Sequence, residues 1–289
     1  MKTYNAKGVS FDQLPKTRKE QFKIIFKTDF FTLLVIGLIL LLSAFLLVAA
    51  FLLKNMFTAD IIAKLVSEDA DQIEFLLNDL LINVVFSFIL ILPFALFAVG
   101  ISGSYRIMRN LVFNDGVLFR SDFAKGMKLN YWQTFKSFII VDILLLGCYF
   151  LKFLFYLWFS NNIAVVLTAI LPVLFIINLL AELTFLSLSS FYNVKTRSGF
   201  VVSLILVIKK FPVSLIFGLI IGAFYLVSIF SNLIVNAIVL LLFFVFILPI
   251  FLLAHVLYYA SIFDGDFNNE NPQNKKRGLY VENMEKNYN

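Results

Sequence analysis

Charge is scarce in this sequence, and its scarcity excludes most soluble architectures. Only 15% of the 289 residues are charged, against 61% hydrophobic ones that include 36 Phe. A soluble domain carries roughly a quarter charged residues, so the excess apolar surface has to face lipid. A single cysteine, Cys148, excludes an intramolecular disulfide. A single histidine, His255, excludes an HExxH zinc pair, and neither a Walker lysine loop nor a GxSxG nucleophile elbow occurs. The run Asp264-Gly265-Asp266 opens like a calcium loop. It fails as one, because Asn269 stands where glycine is required and Lys275 where the bidentate Glu should be. No metal or cofactor is expected, and no enzyme, since no paired nucleophile and base stands out.

The long apolar runs give the architecture. Six of them are long enough to cross a bilayer as helices of about 20 residues: 30–53, 80–104, 138–159, 163–191, 211–230 and 233–263. The expectation is an all-α polytopic bundle over residues 30–263. Before it stands a basic arm at 1–29, and after it a polar tail at 264–289 that reads as disordered. The arm should not act as a cleavable signal, because its charged region is too long and no small-residue cleavage site follows. Lys16, Arg18, Lys19, Lys23 and Lys27 alternate there with Phe22, Ile25 and Phe26, a pattern for a helix lying in the headgroup region. The outer connection 54–80 is acidic, with Asp60, Glu68, Asp69, Asp71, Glu74 and Asp79 around a short amphipathic helix near Ile61.

Orientation follows from Lys and Arg in the connections. Seven lie in the arm, six from Arg106 to Lys136, four from Lys195 to Lys210 and four in the tail, against only Lys54 and Lys64 on the other side. Both termini are therefore expected in the cytoplasm, with anionic lipid headgroups as partners of that face. The net charge of +6 does not point to nucleic acid, because the basic residues gather at span ends. Three basic, aromatic stretches lead into outward spans, KIIFKTDFFTLL, MKLNYWQTFKSFII and LVIKKFPVSLIF, and suggest three helical hairpins.

Few residues remain that could carry chemistry. Asp142, Glu182, His255 and Lys152 are ionisable groups inside spans, where an unpaired charge costs roughly 2.5–3.5 kcal/mol. Counting about 1.5 Å per residue from the basic span ends puts Asp142 about 6–8 Å deep and Glu182 and His255 about 12–14 Å deep. Lys152 lies nearer the outer face and can snorkel. Two readings stand. Asp142, Glu182 and His255 line a polar pocket open to the cytoplasm, or the two acids pair with Arg106 or Arg109 and lock helices together. Pro93, Pro172 and Pro249 each fall inside a span and free a backbone carbonyl there.

The loop from Gly100 to Phe135 organises the rest. Asn114-Asp115-Gly116 is a turn signal. Ser121 can cap a following interfacial helix, with Asp122 at its positive end. Phe123, Met127, Tyr131 and Phe135 recur every fourth position as a face for lipid or bundle. The series Pro93, Gly100, Gly103, Tyr105, Arg109, then Asp115-Gly116, Asp122-Phe123, Lys128 and Asn130 resembles the YesL-like bacterial integral membrane proteins (domain of unknown function 624). It departs in its longer acidic loop and in Gly126-Met127, where the family usually has an aromatic. The resemblance implies a bacterial membrane protein, often encoded beside carbohydrate uptake systems, that assists or assembles with transporter subunits. The alternative is a small-solute transporter in its own right, using a path through Asp142, Glu182 and His255.

Overall fold

The computed structural model describes residues 15–67, 72–159, 161–192, 194–230, 233–266, 277 and 279. Among them every regular element is helical: α1 Arg18–Thr28, α2 Phe30–Ser67, α3 Gln72–Val112, α4 Phe119–Trp158, α5 Asn161–Thr168, α6 Leu171–Phe191, α7 Thr196–Lys209, α8 Phe211–Phe230, α9 Leu233–Leu242 and α10 Leu248–Asp266. A π-helical turn, Phe243–Ile247, joins the last two. The chain is an all-α polytopic helical bundle.

The expected spans are present, but their helices are longer. α2 continues through the acidic amphipathic stretch that was expected to be separate, up to Ser67. α3 has 41 residues and α4 has 40, so each extends about 60 Å, twice the hydrocarbon thickness. The expected interfacial helix after the 113–118 turn is not a separate element: it is the first half of α4. No proline or glycine pair interrupts 119–137, so the helix has no reason to stop at the membrane. The turn itself forms as expected, with Asn114 at φ 55°, a left-handed conformation that Asn tolerates. Ser121 does not cap α4. It lies within the first turn and donates to Leu118 O, while the Asp122 carboxylate accepts the Leu118 N–H at 2.8 Å.

Two prolines explain two breaks. The expected span 163–191 is divided, because Pro172 sits in the first turn of α6, the position a helix start tolerates. Pro249 has no N–H to offer the carbonyl of Val245 four residues before it, and the π-helical turn lies over that gap. Gly37 of α2 fits against the released carbonyl. A Cβ there would stand 2.3 Å from Val245 O.

Five helical segments are long and apolar enough to span, and α7 with α8 forms a sixth candidate bent by 100°. The end contacts decide which limb crosses. Arg18 of α1 pairs with Asp264 at the end of α10 at 2.8 Å, so the described chain starts and finishes at one end of the bundle and crosses an even number of times. Lys209 at the far end of α7 reaches Asp266 at 3.1 Å, which keeps α7 at that same end. α8 is the crossing limb: Ser214 meets Tyr259 at 3.2 Å and Phe217 meets Phe251, antiparallel along α10.

This basic end holds most of the core. Gln21 and Arg18 both donate to Val112 O, and Arg18 also reaches Arg277 O at 3.0 Å. Burial lowers the pKa of Arg18, and Asp264 opposes the shift. The expected disordered tail starts helical, since Asp264, Gly265 and Asp266 end α10, and Arg277 is docked, paired with Asp115 at 3.0 Å over the Phe113 ring; the rest, apart from Leu279, lies outside the described residues. In α1 the face buried in the protein is Gln21 and Ile25, while Phe26 is 40% exposed. Ser160-Asn161-Asn162 and Ser231-Asn232 read as tight turns in the sequence, but Asn161 and Asn162 open α5; Ser160, residues 231–232, residues 1–14 and the acids Glu68, Asp69 and Asp71 lie outside the described residues.

Candidate functional site

The buried face of α4 is the polar one. Its buried residues are Asp122, Gly126, Asn130 and Thr134 at every fourth position, then the neighbours Ser137 and Phe138, then Asp142, with Phe138 the single large apolar member. The aromatic series Phe123, Tyr131 and Phe135, expected to define the face, packs beside it and is only partly buried. Small residues win the central position because α3 approaches so closely. A Cβ on Gly126 would stand 2.7 Å from Ser102 O, and one on Gly103 would enter the Phe123 ring. A close helix pair built on small residues is the usual packing where lipid supplies no hydrophobic drive.

Around this seam lie two polar clusters. In the first, the Ser137 hydroxyl donates to Glu182 Oε1 at 2.7 Å, joining α4 to α6. The other carboxyl oxygen, Oε2, is buried without a hydrogen-bond partner, as are Tyr105 Oη and Ser104 Oγ of α3. Tyr105 faces Glu182 and Ser187 without completing a hydrogen bond to either. Ser187 in turn meets His255 Nδ1 at 3.1 Å, joining α6 to α10, and its hydroxyl also contacts Leu183 O. His255 is enclosed by the rings of Phe217, Phe251 and Tyr259.

The second cluster lies further along α4. Ser87 donates to Asp142 Oδ1 at 3.2 Å. Lys152 pairs with Asp79 at 2.9 Å, and Lys54 of α2 donates to Asn83 Oδ1 with its ammonium 5.4 Å from the Tyr149 ring centre. Asn83 returns its amide to Asp79. Two cations and two carboxylates from three helices thus share one neighbourhood.

The four ionisable candidates therefore divide. Glu182 and His255 share the first cluster through Ser187 and Tyr105, whereas Asp142 and Lys152 belong to the second. The expected partnership of the acids with Arg106 or Arg109 does not form among the described residues. Arg106 stands beside Gly126, eleven residues before Ser137 and so about 16 Å from it along α4. Arg109 lies over Phe113. Ser137 also sets the level of Glu182, which meets α4 where its apolar run begins.

Of the residues that carry the sequence resemblance, several lie in the packed interior. Gly100 takes Ser43 of α2 at its surface, Pro93 lies inside α3, and Asn130 is buried on α4. Lys128 points outward. Ser137, Ser87 and Ser187 were not singled out from sequence, because a lone serine in a span carries no signal. Lys54 and Asp79 fall in the expected connection 54–80, and helix length brings them in; Asn83 lies within the expected span 80–104 and carries no signal of its own.

Chemically, the first cluster pairs a hydroxyl with an imidazole. Among the described residues no carboxylate holds the second ring nitrogen, and Ser187 and His255 are at most 1% exposed. No group of three or more His, Cys, Asp or Glu converges among the described residues. Fold and site define a polytopic α-helical membrane protein with a polar helix seam. No protein-family model, curated protein or solved structure matches this chain.

Proposed function

We propose that the protein is a non-catalytic component of a bacterial cell membrane that assembles with a transport system, its basic end and both termini in the cytoplasm against anionic lipid. The observation that carries this reading is the pairing pattern: Glu182 with Ser137, Asp142 with Ser87, Lys152 with Asp79 and Lys54 with Asn83, each joining two different helices except where Asn83 also bonds along α3. Polar groups used this way hold a bundle in one arrangement, as a scaffold requires. Carbohydrate as the cargo of the partner rests on the family resemblance. Purification of the tagged full chain from native membranes tests the reading. Transporter subunits should come with it in fixed proportion, and a chain that alone moves a sugar or ion in liposomes overturns it.

A second reading, a transporter acting by itself, is favoured by the polar stripe on α4. That stripe enters the apolar run of α4 as far as Asp142, and beside it Glu182 Oε2 and Tyr105 Oη are left without partners.

A further inference from the structure

The two polar clusters are separated by one thin apolar layer. Ser137 and Asp142 are five residues apart, about 7.5 Å along α4. Between them Phe138 packs against Phe94 and Phe97 of α3, with ring centres 5.7 and 5.6 Å away. On the basic side of this layer stands Glu182, held by one hydroxyl and with its second oxygen unmatched. On the acidic side stands Asp142, also held by one hydroxyl, near the charge of Lys54 but in no ion pair among the described residues. A carboxyl without a cationic contact inside a bilayer is neutral only when it carries a proton. Serine hydroxyls both donate and accept, so Ser137 and Ser87 can pass one on.

We propose that the α3–α4 seam is an occluded proton route, with Glu182 and Asp142 as carriers on either side and the Phe138, Phe94 and Phe97 rings as its barrier. A proton leaves one carboxyl oxygen and arrives at the other; no bond to carbon forms or breaks and no electron moves. The narrow layer favours a proton over a larger solute, because rings in contact leave no passage for a hydrated ion, while a short water chain admitted by ring movement suffices for a proton. The inference rests on the second reading above and names what that path conducts.

The test uses the full chain in phosphatidylethanolamine–phosphatidylglycerol vesicles containing a pH-sensitive dye, with a potassium gradient and valinomycin setting the potential. Phe138→Ala should raise proton entry about tenfold or more over the unaltered chain, the change that lowering a barrier by about 1.4 kcal/mol gives. Adding Glu182→Gln or Asp142→Asn should return it to the starting rate. Phe97→Ala, which opens the same layer from α3, serves if Phe138→Ala elutes as aggregate. No rise in either variant overturns the route. So does a rise that neither acid substitution reverses, or equal entry of potassium measured without valinomycin, since each marks a plain leak. If protons stay out while the unaltered chain moves a sugar, the transporter reading survives and the proton route does not.

Discussion

The same helices behave differently at their two ends. α3 buries nearly every residue from 98 to 112, but from 72 to 92 only Leu76, Asn83, Phe86, Ser87 and Leu90. In the tight half Gly37 and Gly126 meet the backbone of a neighbouring helix, and Gly100 and Gly103 take the side chains of Ser43 and Phe123 at their surface, whereas Gly147 in the other half has open space where a side chain would be. The polar chemistry follows the packing. The loose half places its charges in cation–carboxylate company, because the alternative surroundings are lipid. The tight half pairs its charges only at its far end, Arg18 with Asp264, Lys209 with Asp266 and Arg277 with Asp115; where the apolar run of α4 begins it carries hydroxyls and Glu182, and leaves Ser104, Tyr105 and Glu182 each with an unmatched atom. Close packing from several helices holds those atoms where a loose half could not.

The largest effect should come from the clasp that closes the tight end. Arg18 and Asp264 have side chains only 10% and 12% exposed, and Arg18 also serves Val112 O, Arg277 O and Gln21. Arg18→Met removes the donor from a buried pair, a change that costs about 3–5 kcal/mol. Thermal unfolding in detergent should show it. An unchanged midpoint would mean that the tight end does not govern stability. Gly37→Ala comes next. The new methyl meets a backbone oxygen, which has no rotamer to escape into, so overpacking of about 1–3 kcal/mol is expected. Gly147→Ala is its control in the loose half and should change nothing measurable.

How much of this was legible beforehand depends on which physical signal each element carries. Six apolar runs announced six helical segments; five described helical segments are long and apolar enough to span, α7 with α8 makes a bent sixth candidate, and α8 occupies 211–230. Charge does not mark the span ends, because a helix with no breaker at that point continues past it, as α2, α3 and α4 do. That continuation brings Lys54 and Asp79 into the second cluster. The orientation of α4 was hidden for another reason. Periodicity identifies a stripe, and in lipid an apolar stripe is no longer evidence of burial; Asp122, Gly126, Asn130 and Thr134 share the same period as Phe123, Met127 and Tyr131. Only the small partners on α3 select between the two.

A smaller effect should separate the halves by interaction type. Lys152 and Asp79 are 34% and 23% exposed, so solvent and headgroups screen them and a double-substitution cycle should give a coupling near 1 kcal/mol. A coupling several times larger would mean that the acidic half is as dry as the basic half, and the contrast between them would fall.

The smallest effect is the most informative about the tight half. Glu182→Gln keeps the oxygen that accepts from Ser137 and supplies an amide N–H₂ in place of the unmatched oxygen, close to the Tyr105 hydroxyl. A retained hydrogen bond and a newly matched atom nearly offset the altered shape, so unfolding should move by less than about 1 kcal/mol in either direction. Tyr105→Phe removes a hydroxyl that has no hydrogen-bond partner among the described residues, and should likewise be neutral or stabilise slightly. Were these two atoms instead joined through buried water, both substitutions would break a network, and each would cost about 1–3 kcal/mol. Melting curves of the two single variants and their combination decide it: additive, near-zero changes fit a dry and locked cluster, and a large non-additive loss fits a wet one.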